Sequence, residues 1–148
     1  MKKNIIIAVL LAFVCFGGLK AETNGDKKAK TIYLTTADFL KKVANYEESP
    51  EKWVYLGDKP CLIDFYTTWC GPCKRIAPIL EDLAAQYAGQ IYIYKVDTEK
   101  EKELAQAFGI RSIPTLLFCP MGEDPQMAKG ALPKETFIKV IEELLLKK

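Results

Sequence analysis

The chain has 148 residues, with 21 basic and 19 acidic side chains, no histidine and five cysteines, and hydrophobic residues make up 49% of it. A charge this close to balance excludes the basic footprint of a nucleic-acid-binding protein. The missing histidines remove half of the usual zinc-ligand set, and the length suits one domain whose core needs no disulfide staples, which leaves the cysteines free for chemistry.

Lys2 and Lys3 precede an uncharged apolar run over residues 5–16, and Gly17-Gly18-Leu19-Lys20-Ala21 follows. This is the three-part form of a cleavable secretory signal, assigned to residues 1–21. The run is shorter than the ~20 apolar residues of a spanning helix, so no stable membrane insertion is expected after processing. Cleavage after Ala21 leaves the large Leu19 where a small residue is preferred, which keeps Gly17 and Gly18 open as alternatives. Lipidation at Cys15 is disfavoured by the bulky Phe13 and Val14 before it. Loss of the signal takes Lys2, Lys3 and Lys20 and moves the formal charge from +2 to -1. The expected address is periplasmic or otherwise extracytoplasmic. Polar residues 22–30 have little to bury and read as a flexible lead-in, and residues 31–148 as the folded domain.

Ile32-Tyr33-Leu34 is a short strand candidate, and Thr35 and Thr36 are cap candidates for a helix over residues 37–45. Residues 46–59 break the pattern with Ser49-Pro50 and Gly57-Asp58, so a loop is expected there, with Trp53 and Tyr55 packed locally. Cys61–Tyr66 is apolar except for Asp64, as in a strand covered on both faces. After Trp69-Cys70-Gly71-Pro72-Cys73-Lys74 comes a helix over residues 73–88, whose Ile76, Ile79, Leu80, Leu83, Ala84 and Tyr87 recur at helical spacing and whose Pro78 should kink it. Residues 91–96 form another strand. Thr98 with Glu101 has the spacing of a capping box for a helix through about Phe108. Thr115–Cys119 is a third long strand, turned by Met121-Gly122-Glu123-Asp124 into a weaker hairpin partner over residues 126–130. Pro133 opens a last helix with the stripe Phe137, Val140, Ile141, Leu144 and Leu145. Helices and strands that alternate and then end in a hairpin predict an α/β fold with a central mixed sheet flanked by helices on both faces.

The chemistry lies in Cys70 and Cys73. A thiol at the start of a helix faces unpaired backbone N–H groups and the positive end of the macrodipole, which favour its thiolate. Cys73, three positions on, is within reach of a small disulfide ring and turned inward. Pro72 suits the first helical turn and adds no charge. A zinc site is the competing use of two such thiols, but the chain has no histidine and no second pair of this spacing, so no metal is assigned.

These residues resemble thioredoxin. Leu62-Ile63-Asp64-Phe65, Trp69 to Lys74, Ile76-Ala77-Pro78-Ile79-Leu80, Val96-Asp97, Phe108-Gly109-Ile110-Arg111, Ile113-Pro114-Thr115-Leu116 and Gly130-Ala131-Leu132 fall in the family's order over about residues 32–146. The resemblance implies a thioredoxin-like fold, a cis Ile113–Pro114 bond beside the thiols, and a shallow substrate groove lined by Trp69, Gly71, Pro72, Gly109, Ile113, Pro114 and Gly130. It implies further that Cys70 attacks a substrate disulfide, that Cys73 resolves the mixed disulfide, that Asp64 accepts the proton of Cys73, and that Lys95 tunes Asp64. No cofactor is implied. Three departures stand out: Ser112 where the family often has glycine, and Tyr66 and Thr67 in place of a more usual tryptophan and small residue. The strand neighbours implied by the family bring Cys61 near Cys119, where a second disulfide competes with the commoner fate of small buried residues.

The expected activity is thiol–disulfide exchange outside the cytoplasm, reducing protein disulfides, since Gly71-Pro72 contributes no group that stabilises the Cys70 thiolate further. A disulfide-forming or isomerising enzyme is the alternative, and a non-catalytic binding module the second. A reductant outside the cytoplasm is cut off from a cytosolic electron donor, so a membrane redox relay is the expected partner besides the protein disulfide substrates.

Overall fold

A computed structural model describes residues 29–148. The expected signal and most of the lead-in lie outside the described residues. From there the chain runs β1 (Ile32–Tyr33), α1 (Thr36–Lys42), β2 (Cys61–Tyr66), α2 (Gly71–Gln86), β3 (Tyr92–Asp97), α3 (Lys102–Ala107), β4 (Thr115–Cys119), β5 (Gln126–Lys129) and α4 (Lys134–Val140), which continues as a π-helical turn over Ile141–Leu145.

The strands form one sheet in the order β1-β3-β2-β4-β5. The helical crossovers through α1 and α2 make β1, β3 and β2 parallel, while β4 pairs antiparallel with β2 and with β5. Side-chain alternation along β2 divides the core in two. Leu62 faces α2, α4 and the π-helical turn, among Ile76, Leu80, Leu83, Phe118, Phe137 and Ile141. Cys61, Ile63 and Phe65 face the other way, against Phe39, Val43 and Leu104. Asp64 shares the parity of Leu62 and so the α2 face, where it is nine-tenths buried or more.

Several local expectations need correction. The first helix stops at Lys42, three residues short of residue 45, because the N–H groups of Val43 and Ala44 both turn to the carbonyl of Phe39. The capping box of Thr98 and Glu101 does not form. Glu101 precedes α3 without a side-chain cap, and its carboxylate instead accepts from the backbone N–H and the hydroxyl of Thr36, at 2.8 and 2.7 Å. It therefore serves the start of α1, alongside Thr35, whose hydroxyl oxygen accepts from the N–H of Asp38. α2 begins at Gly71, two residues before Cys73, contains Pro78, and ends at Gln86, two residues short of residue 88.

Candidate active site

β2 ends at Tyr66 and α2 starts at Gly71, so the intervening turn hangs at the C-terminal end of the sheet. Cys70 is the residue before the helix, in extended conformation with φ -72° and ψ 114°. Its Sγ accepts from the backbone N–H of Cys73 at 3.2 Å. An orphan helical donor thus points at this sulfur, where it meets the dipole's positive end. The first turn of α2 carries no acidic side chain, and Pro72 stands there. Cys70 and Cys73 are joined as a disulfide, with Cα atoms 5.3 Å apart. In this oxidised form both residues are nearly covered, whereas Trp69 beside them is 65% exposed. Beside Gly71 the space is open for at least 4 Å.

The predicted groove residues do not all have equal standing. Ile113–Pro114 is a cis peptide directly before β4, whose Thr115 pairs with Phe65 of β2. The bond therefore lies at the same end of the sheet as the thiols. Gly130, with φ +87°, donates its N–H to the carbonyl of Pro114 at 2.8 Å. The Thr115 hydroxyl donates to the carbonyl of Ser112 at 2.6 Å and holds the approach to the cis bond. Gly109 has a different visible task. With φ +60° it ends α3: its N–H bonds to Gln106 O, and that of Ile110 to Ala105 O. This is the paired closure of a helix end that favours glycine.

Sequence reasoning missed the strap behind Trp69. Its indole Nε1–H donates to Glu99 Oε1 at 3.0 Å. Glu99 is held in turn by its own N–H on Asp97 Oδ1, and Thr98 donates its N–H and its hydroxyl to the carbonyl of Tyr66. The loop after β3 thus fixes both ends of the active-site turn. No local pattern announces this, because the partners are about thirty residues apart.

Asp64 is 1% exposed, and its Oδ1 has no hydrogen-bond partner. Burial raises its carboxyl from 3.8 to about 7, against the smaller opposing pull of the Lys95 charge. A cavity of about 100 Å³ is lined by Asp64, Thr67, Cys73, Lys74 and Lys95. It brings the expected proton acceptor, its tuning residue and the resolving cysteine to one small space. Cys61 and Cys119 stand directly opposite each other in the β2–β4 register as free, fully buried thiols. The Cys61 thiol hydrogen-bonded to it, together with burial, pushes the Cys119 thiol well up. Small buried residues are thus what these two cysteines are here.

Residues 30–143 match the family described as Thioredoxin. A thioredoxin of Borreliella burgdorferi is 44% identical over 112 residues, which is 76% of this chain and 95% of that protein. The M-type chloroplastic thioredoxin of Spinacia oleracea is 38% identical over 116 residues, 78% of this chain and 64% of the relative. Thioredoxin 1 of a Nostoc species is 43% identical over 88 residues, 60% of this chain and 82% of its own length. Among solved structures, a chloroplastic thioredoxin z superposes with a TM-score of 0.62 at 22% identity, covering 77% of this chain and 93% of that one. At that identity the likeness speaks for the fold alone.

Proposed function

The chain belongs to the thioredoxin family of thiol–disulfide oxidoreductases acting on protein disulfides, and from that premise we propose that it works outside the cytoplasm as a reductant through Cys70 and Cys73. In the reduced enzyme the Cys70 thiolate attacks one sulfur of a substrate disulfide. That S–S bond breaks, a mixed disulfide forms, and the other substrate sulfur leaves as thiolate and takes a proton. Asp64 accepts the proton of Cys73, across the cavity they share. The Cys73 thiolate then attacks Cys70 Sγ, the first substrate sulfur leaves, and the Cys70–Cys73 disulfide closes. Substrate gains two electrons and two protons.

The observation that carries this reading is Cys70 Sγ at the N-terminus of α2, accepting from the Cys73 N–H with no acidic side chain in the first turn. Trp69, Gly71, Pro72, Ile113, Pro114 and Gly130 form the docking surface for an extended substrate segment. The Ile113 backbone offers strand-like pairing there.

The direction rests on Gly71 and Pro72, which supply no side-chain charge or hydrogen bond to hold the Cys70 thiolate, and so do not make the enzyme a strong oxidant. The location rests on Lys2, Lys3 and the apolar run over residues 5–16. Electrons then come from a membrane dithiol relay. Alkylation trapping of the Cys70/Cys73 pair in growing cells tests the direction: a mostly reduced pair is expected, and a mostly oxidised pair at steady state contradicts the reductant.

A further inference from the structure

On the α2 face of the sheet, Asp64 stands in a group with Lys95, Tyr33 and Tyr66, and the two tyrosines have no part in the exchange steps. Tyr33 of β1 is in register with Lys95 of β3, and Lys95 with Asp64 of β2. Tyr66, two residues beyond Asp64, shares its face. Lys95 Nζ stands 4.7 Å from the centre of the Tyr66 ring and 5.5 Å from that of Tyr33. Both distances lie inside the ~6 Å over which a ring face attracts an ammonium. Among the described residues no ion pair joins Lys95 to Asp64, and Asp64 Oδ1 is unpartnered. A flexible lysine next to a buried carboxylate is free to close on it unless something else holds its charge. Here two aromatic rings do.

We propose that Tyr66 and Tyr33 are positioning residues that hold the Lys95 ammonium on their ring faces and off the Asp64 carboxylate, keeping Asp64 able to take the proton of Cys73. This rests on the proton-acceptor role given to Asp64 above. Both extremes defeat that role. An ammonium in contact makes the carboxylate tenfold or more weaker as a base, and an ammonium withdrawn into solvent leaves the buried acid protonated at neutral pH. The bracket sets an intermediate distance. Burial, and then the neighbouring Tyr33, push the Tyr66 hydroxyl up to about 12, so its ring stays neutral through the working range. The other groups lining the cavity beside Asp64 are Thr67 and Thr68, just past the end of β2, and Cys73, Lys74 and Ala77 on α2. Across the sheet it meets the apolar Leu116 of β4, and Asp97, at the end of β3, acts on Tyr66 from beyond.

The test is the titration of the Asp64 carboxyl, followed by carbon-13 NMR in the oxidised full chain, where no cysteine thiol of the active site titrates. Tyr66→Leu with Tyr33→Leu should lower it by about one pH unit or more as Lys95 closes on the acid. Tyr66→Phe alone, which keeps the ring face, should leave it where it was. Repeating the leucine pair in a Lys95→Met background should abolish the downward shift. The acid limb of protein-disulfide reduction should move down with the carboxyl. An unmoved or raised Asp64 in the leucine pair overturns the proposal, as does the same fall without Lys95. If the leucine pair does not fold, Tyr66→Leu alone is read in the same way, with half or more of the shift expected, because Tyr66 is the nearer ring. The titration needs no turnover, so a chain that reduces nothing yet shows these shifts contradicts the enzyme and not the bracket.

Discussion

Asp64 is the residue whose environment can be tested without reference to substrate. Its folded carboxyl, near 7, lies above the 3.8 of an exposed aspartate, so the native state holds on to this proton longer than the unfolded chain does. Its contribution to stability is complete below about pH 4 and is lost as pH rises through about 7. Asp64→Asn should therefore leave the oxidised protein's unfolding free energy nearly unchanged at about pH 4 and raise it by roughly 4 kcal/mol at about pH 8. Urea denaturation at the two pH values checks this, and an equal gain at both would contradict it. The same variant should slow the release of substrate from the mixed disulfide, since Cys73 loses its acceptor. Asp64 stands out in the sequence as one acid in an apolar strand. The rings around Lys95 do not, because Tyr33, Tyr66 and Lys95 come from three strands and meet only through register.

At the scale of elements, the three inner strands and the active-site helix were legible because their signals are local and redundant. Cys61–Tyr66, apolar but for Asp64, and Thr115–Cys119, apolar after its threonine, fold with those bounds. The body of α2 is written into the spacing of Leu80, Leu83 and Ala84. The misread element is α3. Thr98 and Glu101 have the spacing of a capping box, but Tyr66 O and the start of α1 compete for their side chains and win. A motif four residues long cannot report a partner sixty-five positions away. Glu101→Ala removes two charge-assisted contacts to Thr36 from the N-terminus of α1, where a carboxylate is favoured by the orphan N–H groups. A loss of about 1–2 kcal/mol is expected, with hydrogen exchange accelerated in α1 rather than in α3. Faster exchange confined to α3 would restore the capping box.

On the scale of the whole molecule, the sheet places the chemistry. β2 delivers Asp64 and, beyond its end, Cys70; β3 delivers Lys95 and the strap that holds Trp69; β4 begins at the cis bond. Three separated segments thus converge at one end of the sheet, while the two cores beneath and above it hold their register. The pairing of thiols with an apolar strand made this end recognisable from sequence. The strap through Glu99 and the helix-ending use of Gly109 were not recognisable, since both depend on where the chain returns. The proposed export rests on Lys2, Lys3 and the apolar run over residues 5–16, which lie outside the described residues, so the address of the protein and its fold are tested separately.

Cys70 is expected to attack and Cys73 to resolve, and trapping separates the two roles. Cys73→Ser, expressed as the full chain, should accumulate mixed disulfides with cellular proteins that collapse on treatment with excess dithiol. Those adducts should vanish when Cys70→Ser is added. Absence of adducts from the single variant, or their persistence without Cys70, would contradict attack by Cys70 and resolution by Cys73.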